Sequence, residues 1–283
     1  MNRQRTAVFT CAMGVSAILL VSGCDSRSGV DTASSPSTAS TARPSAAAST
    51  APTTGTPTSA TTVATVPVGE VPTNPQAAEA LRPWATDLVD GDIDLLTKKC
   101  WTISPQGVAE MYTDTDAILA AIAQPGVDGQ FAVTWTGPQR TVSVKRSEIA
   151  SGYACPSVRP TGSSADLDPR EARHTVRRYL SRFIGKPVNP ADVEGDYRLV
   201  CDGALQTWDP DGTGNATAPP LANNPGRLTG ITAFQDSEIT SEQLGNSYVR
   251  VSVPVTNAAG VTTTEIFTLD VGANGYCIGD VSP

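Results

Sequence analysis

The chain of 283 residues has one histidine, three methionines and aromatic residues at only 5% of its length. So little imidazole and thioether leaves scant material for a metal centre, and no zinc-ligand spacing occurs. Neither Gly-x-Ser-x-Gly nor a Ser-x-x-Lys set with its accompaniments occurs, so no catalytic residue and no cofactor is assigned. Basic residues are outnumbered, 20 Lys and Arg against 28 Asp and Glu, for a net charge of −8. That balance argues against a nucleic-acid partner, since phosphate binding needs a basic face. The longest apolar stretch, from Ala7 to about Val21, is too short and too interrupted for a comfortable membrane span.

What is present begins at the N-terminus. Arg3 and Arg5 precede that apolar stretch, and Val21-Ser22-Gly23-Cys24 closes it before a polar tail. Residues 1–23 read as a secretory signal. Cys24 could be a disulfide partner, a catalytic thiol or an incidental residue after an ordinary signal. The tetrad, however, resembles the lipobox of bacterial lipoproteins. That resemblance implies cleavage before Cys24, a diacylglycerol on its thiol, and anchoring at the outer face of the cytoplasmic membrane. Residues 24–75 are almost wholly Ser, Thr, Ala, Pro, Gly and Val and cannot fill a core, so they read as a disordered tether. About 50 such residues span roughly 40 Å.

Six cysteines reduce to four once Cys11 leaves with the signal and Cys24 carries lipid. Four cysteines in an exported chain read as two disulfides, with three possible connectivities. A weak internal repeat favours one of them. "GDIDLLTKKC" ends at Cys100 and "GYAC" at Cys155; "GDYRLVC" ends at Cys201 and "GYC" at Cys277. One bridge per half, Cys100–Cys155 and Cys201–Cys277, follows if the repeat is real. The halves are then 76–160 and 161–283.

Helix signals include Asp168-Pro169, opening "DPREARHTVRRYLSRFIG" with apolar residues at helical spacing to Ile184 and Gly185 and Pro187 as the stop, and Pro105, opening a helix that continues toward Ile122. Pro83 should kink or delay a first helix near 75–90. Alternation in "SYVRVSVPVT" (247–256), followed by "VTTTEIFTLDV" and "YCIGDV", predicts an antiparallel meander with one buried face. "QFAVTWTG" and "RTVSVKR" predict a hairpin in the first half.

The order of helices, Gly-Asp, then hairpins closing on Asn274-Gly275, Tyr276 and Ile278 resembles the NTF2-like (cystatin-like) α+β fold, and in particular exported actinobacterial lipoproteins with such domains. The resemblance covers about 165–283 reasonably and 76–160 loosely. It implies two tandem α+β domains, each a curved sheet with a helix-lined pocket. The polar stretch 209–226 departs from that pattern. So does His174: enzymes of the superfamily place an Asp–His pair in the cone, whereas here the histidine lies among arginines and is expected to face solvent.

The most pointed feature is that cluster of Arg170, Arg173, Arg177, Arg178 and Arg182. It reads either as a docking face for an anionic partner or as a solvated helix face with long stems over the sheet edge. "WDPDGTGN" (208–215) has a calcium-loop look, but the twelfth position is Pro220 rather than Glu. The expectation is a non-catalytic binding or scaffolding lipoprotein for an envelope protein or cell-wall component. A carrier or sensor of an apolar small molecule or lipid is the alternative.

Overall fold

A proline at the first helical position gives up only an N–H that has no partner there, so Pro75, Pro105 and Pro169 can each start a helix. The computed structural model describes residues 65–163, 167–245, 247–272 and 274–283. The signal segment 1–23, Cys24 and the tether as far as 64 lie outside the described residues. Four helices come first: α1 (Pro75–Asp90), α2 (Ile93–Lys99), α3 (Pro105–Met111) and α4 (Thr115–Ile122). Strands β1 (Val127–Asp128), β2 (Ala132–Thr136) and β3 (Arg140–Lys145) follow, then α5 (Arg146–Ser151) and β4 (Ser157–Pro160). The sheet order is β1-β2-β3-β4, antiparallel throughout, with Trp135 opposite Val142 and Val133 opposite Val144.

The second half has α6 (Pro169–Phe183), α7 (Pro220–Asn223), β5 (Ile231–Phe234), β6 (Thr240–Gln243), β7 (Tyr248–Asn257), β8 (Thr262–Gly272) and β9 (Gly275–Ser282). Its sheet runs β5-β7-β8-β9, and β6 shares the outer edge of β7 with β5. Pro254 cannot donate to a ladder. It sits between the residues of β7 that pair with β6 (249–252) and those that pair with β5 (255–257). The molecule is therefore α+β, with both halves inside one compact unit.

Each half has its own core. In the first, Leu81, Trp84, Ile118, Ile122, Val133 and Trp135 are fully enclosed. In the second, Ala172, Val176 and Leu180 of α6 lie on Val249, Val251, Val253, Phe267 and Leu269. Those side chains occupy the space between helix and sheet where the fold resemblance implies a pocket. Both disulfides have the pairing that the repeat favours, Cys100–Cys155 with Cα atoms 5.4 Å apart and Cys201–Cys277 at 4.8 Å.

Three expectations need correction. The tether does not reach residue 75, because Val68 and Val71 are buried in the first core. The Gly69 N–H donates to the Ile122 carbonyl at 2.7 Å, and its own carbonyl accepts Trp135 Nε1–H at 2.9 Å. A Cβ on Gly69 would stand 1.7 Å from the Gln124 carbonyl oxygen, so only glycine permits this approach. Next, Pro83 does not delay α1, which starts at Pro75 and runs through Pro83 on its exposed side, while Leu81, Trp84, Ala85 and Leu88 are buried. That burial offsets the hydrogen bond that Pro83 removes. Finally, the helix expected from Pro105 to Ile122 is two helices, broken at 112–114. Asp114 stands at the start of α4 and accepts Arg140 Nε–H and Nη2–H at 3.2 and 3.1 Å.

Candidate functional site

At 100° per residue, α6 presents three stripes. Ala172, Val176, Leu180 and Tyr179 face the sheet. Arg170, Arg173 and Arg177 form a second stripe. Glu171, His174, Arg178 and Arg182, spaced i, i+3, i+7 and i+11, form a third. The arginine cluster is thus divided, and the third stripe turns toward the first half and the 189–197 loop.

Arg178 is 6% exposed and bonds Asp192 bidentately through one guanidinium edge, Nε to Oδ2 at 3.1 Å and Nη2 to Oδ1 at 2.6 Å. Its cation lies 5.0 Å from the Trp101 ring centroid and 5.9 Å from that of Tyr197, whose rings meet edge to face. Arg182 joins the same Asp192 carboxylate, donates to Glu194 at 2.6 Å and reaches the Tyr197 carbonyl at 2.7 Å. The Asp192 side chain has no exposed surface, and two guanidiniums compensate it. A charge this deep needs such partners.

His174 is buried too, which corrects its expected solvent exposure. Its Nε2–H donates to the Trp101 carbonyl at 2.8 Å, and Nδ1 has no partner among the described residues. Burial, more than the nearby Arg178 and Arg177, pushes its pKa down to about 4, so the ring is neutral. Glu171 accepts the Ser104 N–H at 3.0 Å and the Ser104 hydroxyl at 2.5 Å, while that hydroxyl also caps α3 by accepting the Gly107 N–H at 3.0 Å. A Cβ on Gly107 would come 2.6 Å from the Glu171 carboxylate, so this approach too depends on glycine.

The remaining arginines are likewise engaged. Arg170 is held by Asp168 and Glu110, Arg173 donates to the Ser241 hydroxyl at 2.7 Å, and Arg177 bonds Asp236 at 2.5 Å. None of the five is freely exposed. The docking-face reading therefore loses Arg178 and Arg182 to the interior. It keeps Arg170, Arg173 and Arg177 only as half-covered, partnered groups.

Near the seam stands a second polar group. Lys145, at the end of β3, extends its amine toward the β8–β9 turn, where a Cβ on Gly275 would lie 2.7 Å from Nζ. Gly275 has φ +90°, so its backbone calls for glycine. Lys145 keeps exposed surface along its stem, while desolvation of its amine by the surrounding protein lowers its pKa against the pull of Glu148 and Glu171. Burial raises Glu148 and Glu171, against the pull of hydrogen bonds from the Cys155 N–H and Ser104. Neither carboxylate is within ion-pair distance of Lys145 among the described contacts. The set can tune the charge of the seam.

The "WDPDGTGN" loop is closed by its own carboxylate. Asp209 accepts the N–H groups of Thr213 and Gly214 at 2.9 and 2.7 Å and the Thr213 hydroxyl at 3.0 Å. No cluster of three metal-ligating side chains occurs among the described residues. Sequence reasoning missed Trp101, Tyr197, Asp192 and Glu171 as a group. The only signal was the i, i+3, i+7 polar spacing on α6, which a solvated stripe shares. Compared with protein-family models, with curated proteins and with solved structures, the chain finds no match.

Proposed function

We propose that this chain is a lipid-anchored envelope protein whose two stapled halves form one non-catalytic binding module for a protein or cell-wall partner. The supporting observation is the pair of disulfides. Cys100, Cys155 and Cys201 are each at most 7% exposed, so both cross-links belong to the packed structure. Such bonds form and persist outside the reducing cytosol. An exported chain is the setting in which Val21-Ser22-Gly23-Cys24 works as a lipobox, with Cys24 as the anchor at the outer face of the cytoplasmic membrane.

Each half is read as a variant of the NTF2-like plan. In support, each runs helix, cysteine, antiparallel hairpins and a second cysteine by the last strand. Gly152, which caps the end of α5, and Gly275, which opens β9, are both at positive φ, and each precedes a tyrosine, Tyr153 and Tyr276. The seam neutralises its own charges, which leaves recognition to the outer surfaces. The alternative of a carrier is less favoured, because α6 fills the space over its sheet.

Metabolic labelling with a fatty-acid analogue tests the anchor. Cys24→Ala should abolish the label and release the chain from the membrane fraction. A labelled Cys24→Ala protein would overturn the proposal.

A further inference from the structure

The seam between the halves is built differently from either half. Each apolar cluster lies wholly on one side, the first between residues 66 and 158, the others between 167 and 281, and none among the described residues spans both. What crosses instead is polar. The Trp101 carbonyl meets His174, Ser104 meets Glu171, Glu110 meets Arg170, and the Trp101 ring lies under Arg178. Bodies joined by a polar interface move relative to each other more readily than bodies that share a core. Each half meanwhile has its own disulfide, Cys100–Cys155 or Cys201–Cys277, which resists its unfolding when the seam parts.

His174 is buried in this seam, with Nε2–H on the Trp101 carbonyl and Nδ1 partnerless among the described residues. A second proton on the ring would add a donor without an acceptor and a charge without water. Arg178 and Arg177, on the same helix, oppose that charge. Asp192 of the facing loop favours it but is already shared by Arg178 and Arg182. Glu171, one turn back, is committed to Ser104, and Tyr276 of β9 lies toward Asp168 and Glu171. From the first half, Lys145 and Glu148 act on the neighbouring Arg178, as does the Tyr197 ring from the 189–197 loop.

We infer that protonation of His174 works as an acid-triggered release of the seam, with each half staying folded. This goes beyond the binding-module reading and is independent of the anchor. Once the seam parts, the ring reaches water and takes its proton near the ordinary 6.5, whereas burial holds its pKa down to about 4 in the closed form. Acid therefore draws the equilibrium toward the open form. Glu148 and Glu171, whose pKa values burial raises, pull toward the closed form as pH falls and blunt the response.

Hydrogen exchange of the full chain, followed by NMR, reads opening and unfolding apart. The Ser104 amide donates to Glu171 across the seam, while the amides of β2 and β7 report on the two cores. In the parent chain relative to His174→Gln, Ser104 protection should fall on the order of 100-fold between pH 6.5 and 4, with β2 and β7 unchanged. Glu148 and Glu171 are common to both chains, so the difference belongs to His174. His174→Lys, charged throughout that range, should show the open pattern already at pH 7. Equal Ser104 protection in the parent and His174→Gln, or loss of β2 or β7 protection together with Ser104 in the parent, would overturn the inference. So would a His174→Lys chain that is closed or wholly unfolded.

Discussion

In the first half, Trp84 and Trp135 plug a core walled by α1 and α4 on one side and a small four-stranded sheet on the other. In the second, one helix faces a row of valines across β7. The first half draws its enclosure from many short pieces, including Val68 and Val71 ahead of α1. The second relies on a regular two-residue alternation. Enclosure by pieces needs tertiary fixings such as Trp135 on the Gly69 carbonyl and Asp114 on Arg140. Enclosure by alternation needs only register. What the second half adds is α6, whose polar stripe serves the first half as much as its own.

Removing the compensation under α6 should break this comparison most strongly. Asp192→Ala leaves Arg178 buried beside Trp101 and Tyr197 without a carboxylate, at a cost of about 3–5 kcal/mol. Urea unfolding should then separate into two transitions, one per half, where the parent chain shows one. A single transition with an unchanged midpoint would mean that the seam does not couple the halves.

A smaller effect comes from His174. Its folded pKa lies below the ordinary 6.5, so the unfolded chain takes up a proton first as pH falls. The stability that its neutral form contributes is present above pH 6.5 and is lost down to about pH 4, up to about 3 kcal/mol. Glu148 and Glu171, with raised pKa values, act in the opposite sense and gain stability as pH falls. His174→Gln should remove the loss and keep the gain, flattening or reversing the slope between pH 6.5 and 4 in urea titrations. An unchanged slope would remove His174 as the cause.

The smallest change is expected on the outer stripe. Arg177→Ala breaks a half-exposed pair with Asp236 and should cost under about 1 kcal/mol, with a single transition preserved. A loss comparable to that of Asp192→Ala would erase the distinction between the two arginine stripes.

Legibility followed the same division. The bounds of α6 and the three long strands were readable from Pro169, helical spacing and alternating valines. The disulfide pairing followed from the repeated Gly-Asp and Gly-Tyr. The seam was not readable, because the partners of Arg178 and His174 lie 14 and 73 residues away in sequence. A buried polar stripe and a solvated one look alike until those partners are placed. Residues 65–75 were masked by a tether-like composition, in which Val66, Val68 and Val71 are too sparse to mark packing.

Trp101 follows Cys100 directly in the chain and carries the seam's cation over its ring, whereas Trp84 and Trp135 sit in the first core and Trp208 is buried beside Tyr248. Four indoles therefore report on three separate places. The difference in emission between the parent chain and a Trp101→Phe variant is therefore an optical gauge of whether the halves are joined, legible by colour and quenching without any added label.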